Sequence, residues 1–160
     1  MNPLYLGIDP GKLGGWAIIT ADSEPIAWGK FKDWEEIKRY VTFTESQVFR
    51  ISHCCLEKVG LWHSDKGQGK DFRIAKMSEN LGFWKEILKS WGVAYELVAP
   101  MSWKAYFGLT KRKGRVPVTL YEYSKRRWPE IIKFKNQDGI AVGLLLAELA
   151  RCKAIIKGDL

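Results

Sequence analysis

Three acids in this chain of 160 residues stand where apolar segments end or begin. Asp9 closes the run LYLGI and precedes Pro-Gly. Glu57 follows ISHCCL, and Asp138 opens GIAVGLLLAELA. Each alone has an ordinary explanation. Asp before Pro-Gly suits a turn, Glu suits a strand end, and Asp in a first helical turn favours the helix dipole. Jointly they suit another chemistry. If the strands ending in Asp9 and Glu57 are neighbours, and the last helix packs across them, three carboxylates converge. Converging carboxylates repel, and a bound divalent cation is what neutralises them.

The elements that must position these acids follow from apolar patterning. Residues 4–9, 15–21 and 26–31 read as three short strands in a meander, the last two joined by the polar turn Asp22-Ser23-Glu24-Pro25. Asp33 is the expected N-cap of a helix over 33–48, with Trp34, Ile37, Tyr40 and Val41 on one face. Residues 51–59 form a continuous apolar strand, and 60–70 a Gly/Lys-rich loop. A long helix is expected over 71–91 with Gly92 as its C-cap, then a fifth strand over 94–98. Short helices follow over 100–106 and 116–128. Asn136 is expected to cap a final helix to about 156 whose centre, apolar on nearly every face, must be buried on more than one side. The order predicts one α/β domain over 1–160 with a five-stranded mixed sheet flanked by helices.

Composition narrows the class. Hydrophobic residues make up 46% of the chain, yet no run of 18 apolar residues occurs, so a membrane span is excluded. The opening MNPLYLGIDPG enters a strand directly, without the basic and apolar regions of a signal peptide. Cys54, Cys55 and Cys152 lack C-x-x-C spacing and read as core thiols of a reducing cytoplasm, with no zinc site. Most of the eight tryptophans are expected in the core or in dimer contacts.

The net charge of +8 is localised. Residues 104–135 hold ten lysines and arginines against two acids, and in the rest of the chain sixteen of each cancel. A solvated surface scatters such an excess, whereas a polyanion-binding face gathers it, so nucleic acid is the expected partner.

Four segments, in order, carry a resemblance. LGIDPGKLGGWAII resembles the opening strand and hairpin of RuvC-type Holliday junction resolvases, of the ribonuclease H-like superfamily, and CCLEKV resembles their fourth strand. PMSWKAYFGL is similar to their Pro-x-x-Trp-Lys segment, and QDGIAVGLLLAELA to their last helix. The Gly/Lys-rich loop and the helix start DFRIAKMSENLGFWKEIL are similar to the family's junction-contacting loop and the helix after it. The short phage-like members, which work without a branch-migration helicase partner, look most similar.

This resemblance implies a ribonuclease H-like fold and a homodimer that nicks two opposing strands of a four-way DNA junction. It implies Asp9, Glu57 and Asp138 as metal-ligating catalytic acids and Lys104 as a basic residue offsetting charge on the phosphate. Two Mg²⁺ ions about 3.5–4 Å apart are implied in each active site, with Mn²⁺ able to substitute. Asp9 would bridge both ions. In the loop region, Trp62, Lys66, Lys70, Phe72 and Arg73 are candidate DNA contacts. Trp62 and Phe72 either stack on unpaired bases or anchor the loop to the core. His63 is left out of the catalytic set, because a metal-activated water needs no such base. Lys111, Arg112, Lys113, Arg115, Lys125, Arg126 and Arg127 would contact phosphates of the flanking arms. A cytoplasmic, nucleoid-associated protein of bacterial, phage or prophage origin follows.

One departure stands out. The family places a fourth acid three or four residues from the acid of the final helix, whereas here positions 135, 141 and 142 are Lys135, Ala141 and Val142. Glu148 is too far, about 15 Å along the helix. Water and DNA phosphate complete the metal shell, or the chain is a catalytically weakened junction-binding protein. Another ribonuclease H-like nuclease, acting on hybrids or flaps, is the remaining alternative. An actin- or hexokinase-type phosphotransferase needs a second phosphate-binding half, for which 160 residues leave no room.

Overall fold

In the computed structural model, residues 2–41, 49–58, 70–111 and 116–157 are described, without the side chains of 49 and 70–74. Five strands form one sheet: β1 (Asn2–Ile8), β2 (Gly15–Thr20), β3 (Pro25–Lys30), β4 (Phe49–Glu57) and β5 (Tyr95–Val98). Their order is β3-β2-β1-β4-β5, with β1 antiparallel to β2 and parallel to β4, and β4 parallel to β5. The expected mixed sheet is therefore present, with β1 and β4 adjacent.

Helices cover both faces. α1 (Lys38–Val41), α2 (Lys70–Ser90), α3 (Pro100–Tyr106), α4 (Leu120–Arg127) and α5 (Asp138–Lys157) follow in chain order. Central strands read as continuous apolar runs because both their faces are covered. Leu4, Leu6, Ile8, Cys54 and Leu56 pack with Trp84 and Leu88 of α2, and with Ile37, on one side. Tyr5 and Cys55 pack with α5 on the other. α5 is buried from Gly139 through Ala150, as expected of a helix apolar all round. No described helix is long and apolar enough to cross a membrane.

Three boundaries differ from the sequence reading. Asp33 does not cap a helix of 33–48. A 3₁₀ helix runs over Phe31–Ile37 and α1 follows it, while 42–48 lie outside the described residues. Lys30 takes the N-cap position, and the Asp33 carboxylate accepts its backbone N–H at 3.3 Å. The expected apolar face is nevertheless present, with Trp34, Tyr40 and Val41 packed around buried Ile37. The helix expected from 116 begins at Leu120, because Thr119 and Glu122 form a reciprocal capping box. Asn136 caps nothing. It lies in a 3₁₀ turn, Lys135–Gln137, in which the Gln137 side chain accepts the N–H groups of Lys133 and Phe134 at 2.7 and 2.8 Å.

Candidate active site

Strand register brings the first two acids together. Ile8 is paired with Leu56, so the next residues, Asp9 and Glu57, come to lie side by side at the carboxyl ends of two parallel strands. Such strand ends are where α/β sheets place their ligand sites. Alternation chooses the face. Asp9 and Glu57 follow the rows of Tyr5 and Cys55, which pack against α5.

The Asp9 carboxylate accepts the Gly11 N–H at 2.9 Å, closing the Asp-Pro-Gly turn. Glu57 accepts the indole N–H of Trp103 at 2.8 Å. That donor is positioned by α3. Val98 pairs with Glu57, Lys58 N–H donates to the Val98 carbonyl at 2.8 Å, and Pro100 starts the helix at N1. Trp103 is then buried one turn in, and Lys104 follows with its ammonium 5.3 Å from the Trp103 ring centre. The sequence reading passed over Trp103 as a ligand of Glu57. Its signal was the Trp-Lys pair itself, since a buried indole needs an acceptor.

The electrostatics show how crowded the pair is. Burial raises Asp9 above the usual carboxylate range, against the opposing pull of the Gly11 N–H and the Lys104 charge. Burial first, and the Asp9 charge second, push Glu57 to about 7 despite the Trp103 hydrogen bond and Lys104. One lysine thus fails to neutralise two half-buried carboxylates.

The start of α5, which carries Asp138, meets the turn that follows β1; the charges acting on the Asp9–Glu57 pair are those of the pair and of Lys104. Two close backbone approaches fix α5 there. A Cβ on Gly7 would lie 2.0 Å from the Gly143 carbonyl oxygen, and one on Gly139 would lie 2.4 Å from that of Leu13. Gly14 and Gly139 form an isolated bridge, and the Asp9 N–H donates to the Gly15 carbonyl at 2.8 Å. The start of α5 therefore lies on the Asp9–Gly15 turn, with exposed Asp138 as its first residue. Glu57 flanks Asp9 on the β4 side, and the backbone of α5 meets the turn on the β2 side.

Ala141 and Val142 belong to the buried cluster under α5. Glu148 is committed elsewhere, accepting from Ser23, from Arg127 at 3.0 Å and from Arg151 at 2.8 Å. Among the described residues, the ligand types whose atoms the fold gathers most closely are others, deeper on the same sheet face. Atoms of His53, Cys55 and Glu96 lie within 4.8 Å of one another. Burial and the Glu96 charge hold the Cys55 thiol well above its usual range, and Lys153 already pairs with Glu96.

Of the candidate DNA contacts, Trp62, Lys66, Arg112, Lys113 and Arg115 lie outside the described residues, as does His63. Lys70, Phe72 and Arg73 fall in the first turn of α2, their side chains likewise outside. Lys111 and Arg126 are exposed. Lys125 donates to the Tyr121 hydroxyl at 3.1 Å, and Arg127 is engaged with Glu148 and stands over the Trp128 ring. Arg127 thus serves α4–α5 packing, a role that its place in a basic run concealed.

No family model matches the chain, and no curated protein matches it. Among solved structures, T. thermophilus RuvC in complex with a Holliday junction substrate is similar over 99% of this chain and 97% of that chain. The TM-score is 0.51 and the identity 11%. The likeness is one of fold: the chain shares the α/β architecture of that structure.

Proposed function

We propose that this chain is a metal-dependent endodeoxyribonuclease that resolves four-way DNA junctions. The observation that carries the reading is the Asp9–Glu57 pair, two half-buried carboxylates side by side at the ends of β1 and β4, both raised by burial. A purely structural pair of this kind would be a cost without return. Its chemistry fits a hard dication, and Asp9, Glu57 and Asp138 would hold Mg²⁺ or Mn²⁺. When bound, the ions supply an acidified water and charge neutralisation at the leaving oxygen. Asp9, beside Glu57, would be a ligand of the metal. Trp103 holds the Glu57 carboxylate in one orientation and favours its charged form. Lys104 offsets negative charge on the phosphate. Paired nicks need two such sites related by a two-fold axis, so the functional unit is a homodimer.

A second reading is kept by one observation. Ala141 and Val142 are buried and apolar where a fourth acid is expected, which suits a junction-binding protein with weakened catalysis. Asp9→Asn separates the two. Under the nuclease reading it reduces Mg²⁺-dependent junction cleavage by about 10²–10³-fold or more. Junction affinity, carried by the basic segment, stays near that of wild type. Cleavage by Asp9→Asn at the wild-type rate would remove Asp9 from the reaction.

A further inference from the structure

We propose that the basic cleft beside Asp138 is a subsite for the nucleotide adjoining the scissile phosphate; this rests on the nuclease reading above. A cavity of about 480 Å³ opens between the turn after β1, the end of β3 and the start of α5. Lys12, Lys30 and Lys32 line it, together with Leu13 and Phe31, and Asp138 forms part of its wall. Its size falls within the roughly 300–1,000 Å³ of pockets that take small ligands.

Three features make this more than a chance gathering of surface lysines. First, the cations stand outside the basic segment 104–135, in a part of the chain whose sixteen bases, these three included, are matched by sixteen acids. The turn and β3 bring them to one cleft, and all three are exposed. Second, the walls are tied together. Trp16 Nε1 donates to the Lys30 carbonyl at 3.2 Å, and Phe31 N–H donates to the Gly14 carbonyl at 3.3 Å. Asp33, the acid nearest in sequence, is turned to the Lys30 backbone N–H. Third, Leu13 is 88% exposed, a large aliphatic surface next to three ammonium groups. A nucleotide matches that pairing, with phosphate for the lysines and a sugar or base face for Leu13 and Phe31. Asp138 lines the cleft and is one of the acids of the nuclease reading, so on that reading a single strand leaving the acids would pass between the lysines. Contacts of this type position the backbone and carry no sequence information.

The test is a double-mutant cycle between protein and DNA. Four-way junctions carrying one neutral methylphosphonate, scanned along a strand through the branch point, are bound by the Asp9→Asn protein with and without Lys12→Gln, Lys30→Gln and Lys32→Gln. The triple lysine variant should bind about tenfold more weakly, with a log–log salt slope shallower by about 2. At one or two scanned positions the methylphosphonate should weaken binding by the Asp9→Asn parent, yet add little in the lysine variant. Lys12→Gln alone, at an unchanged melting temperature, should give part of the same loss. Equal penalties in both proteins at every position, or an unchanged salt slope, would overturn the subsite. Cleavage by the wild-type chain is followed on the same junctions. Cleavage with equal penalties leaves the nuclease standing and removes the subsite. No cleavage with non-additive penalties removes the nuclease and keeps a backbone-binding cleft.

Discussion

Glu57 ionises near pH 7 because burial penalises its charge first and Asp9 repels it second. In the unfolded chain the same group ionises near 4.5. Between those values the metal-free folded state binds more protons than the unfolded one, so stability falls as pH rises from about 4.5 to about 7. The loss is at most about 3 kcal/mol. Denaturation in a chelator at pH 5 and pH 8 should show a smaller pH difference for Glu57→Gln than for wild type. Asp9, raised in the same direction, retains part of the slope. An equal difference in the two proteins would refute this account of Glu57. Trp103→Phe removes the donor that favours the charged form, and should move the pH midpoint of Mg²⁺-dependent cleavage upward. A purely packing role would lower stability and leave that midpoint in place. Val142 is only 7% exposed, so Val142→Asp buries a carboxylate in the α5 core. A loss of about 2–4 kcal/mol is expected, and Mg²⁺ should not restore it. Restored stability with faster nicking would instead make position 142 a vacant ligand site. At this scale the turn at Asp9 was legible, because Asp-Pro-Gly ends an apolar run and the Asp9 carboxylate accepts the Gly11 N–H. Trp103 was not, since a donor 46 residues from its acceptor becomes visible only when β5 and α3 are placed.

Elements position the acids through backbone contact more than through side chains. α5 reaches β1 where Gly7 faces the Gly143 carbonyl, and it reaches the β1–β2 turn where Gly139 faces Leu13 and Gly14. Gly7→Ala would place a methyl 2.0 Å from that carbonyl oxygen, so the helix must move or the strand must bend. Such overpacking costs about 1–3 kcal/mol or more. It should also reduce cleavage beyond the stability loss, because Asp138 shifts with the helix. Full cleavage by a folded Gly7→Ala protein would show that the start of α5 need not be held so closely. The strands and α5 were readable from plain signals: an alternating segment ended by Pro-Gly for β1, a continuous apolar run for β4, and an apolar surface nearly all round for α5. The 3₁₀ helix over Phe31–Ile37 and the start of α4 were misplaced for a local reason. Glu122 is the third-residue acid of a capping box with Thr119, and Asp33 likewise accepts the N–H of the residue three before it, so each acid marks an element start three residues upstream. Asn136 lost to Gln137, whose longer side chain reaches back to two backbone donors.

At the scale of the molecule, the excess of +8 lies in residues 104–135. Lys104 acts on the acids, whereas Arg127 at the end of α4 joins Glu148, which also accepts from Ser23 in the β2–β3 turn. Part of that segment is structural, as the Arg127–Glu148 pair shows, and part lies outside the described residues. The sequence could reveal the charge excess but not its division between packing and DNA contact, which depends on which side chains α5 meets. A C2 dimer is predicted in solution, and sedimentation of the free chain and of its junction complex checks it. A monomer in both states would be incompatible with paired nicks from one set of acids per chain. The most direct measurement is cleavage of a synthetic four-way junction beside linear duplex, flap and RNA–DNA hybrid controls, with and without Mg²⁺. The account predicts Mg²⁺-dependent, paired nicks in the junction and little cutting of the controls. Equal cutting of all substrates, or junction binding with no cleavage in Mg²⁺ or Mn²⁺, would contradict it.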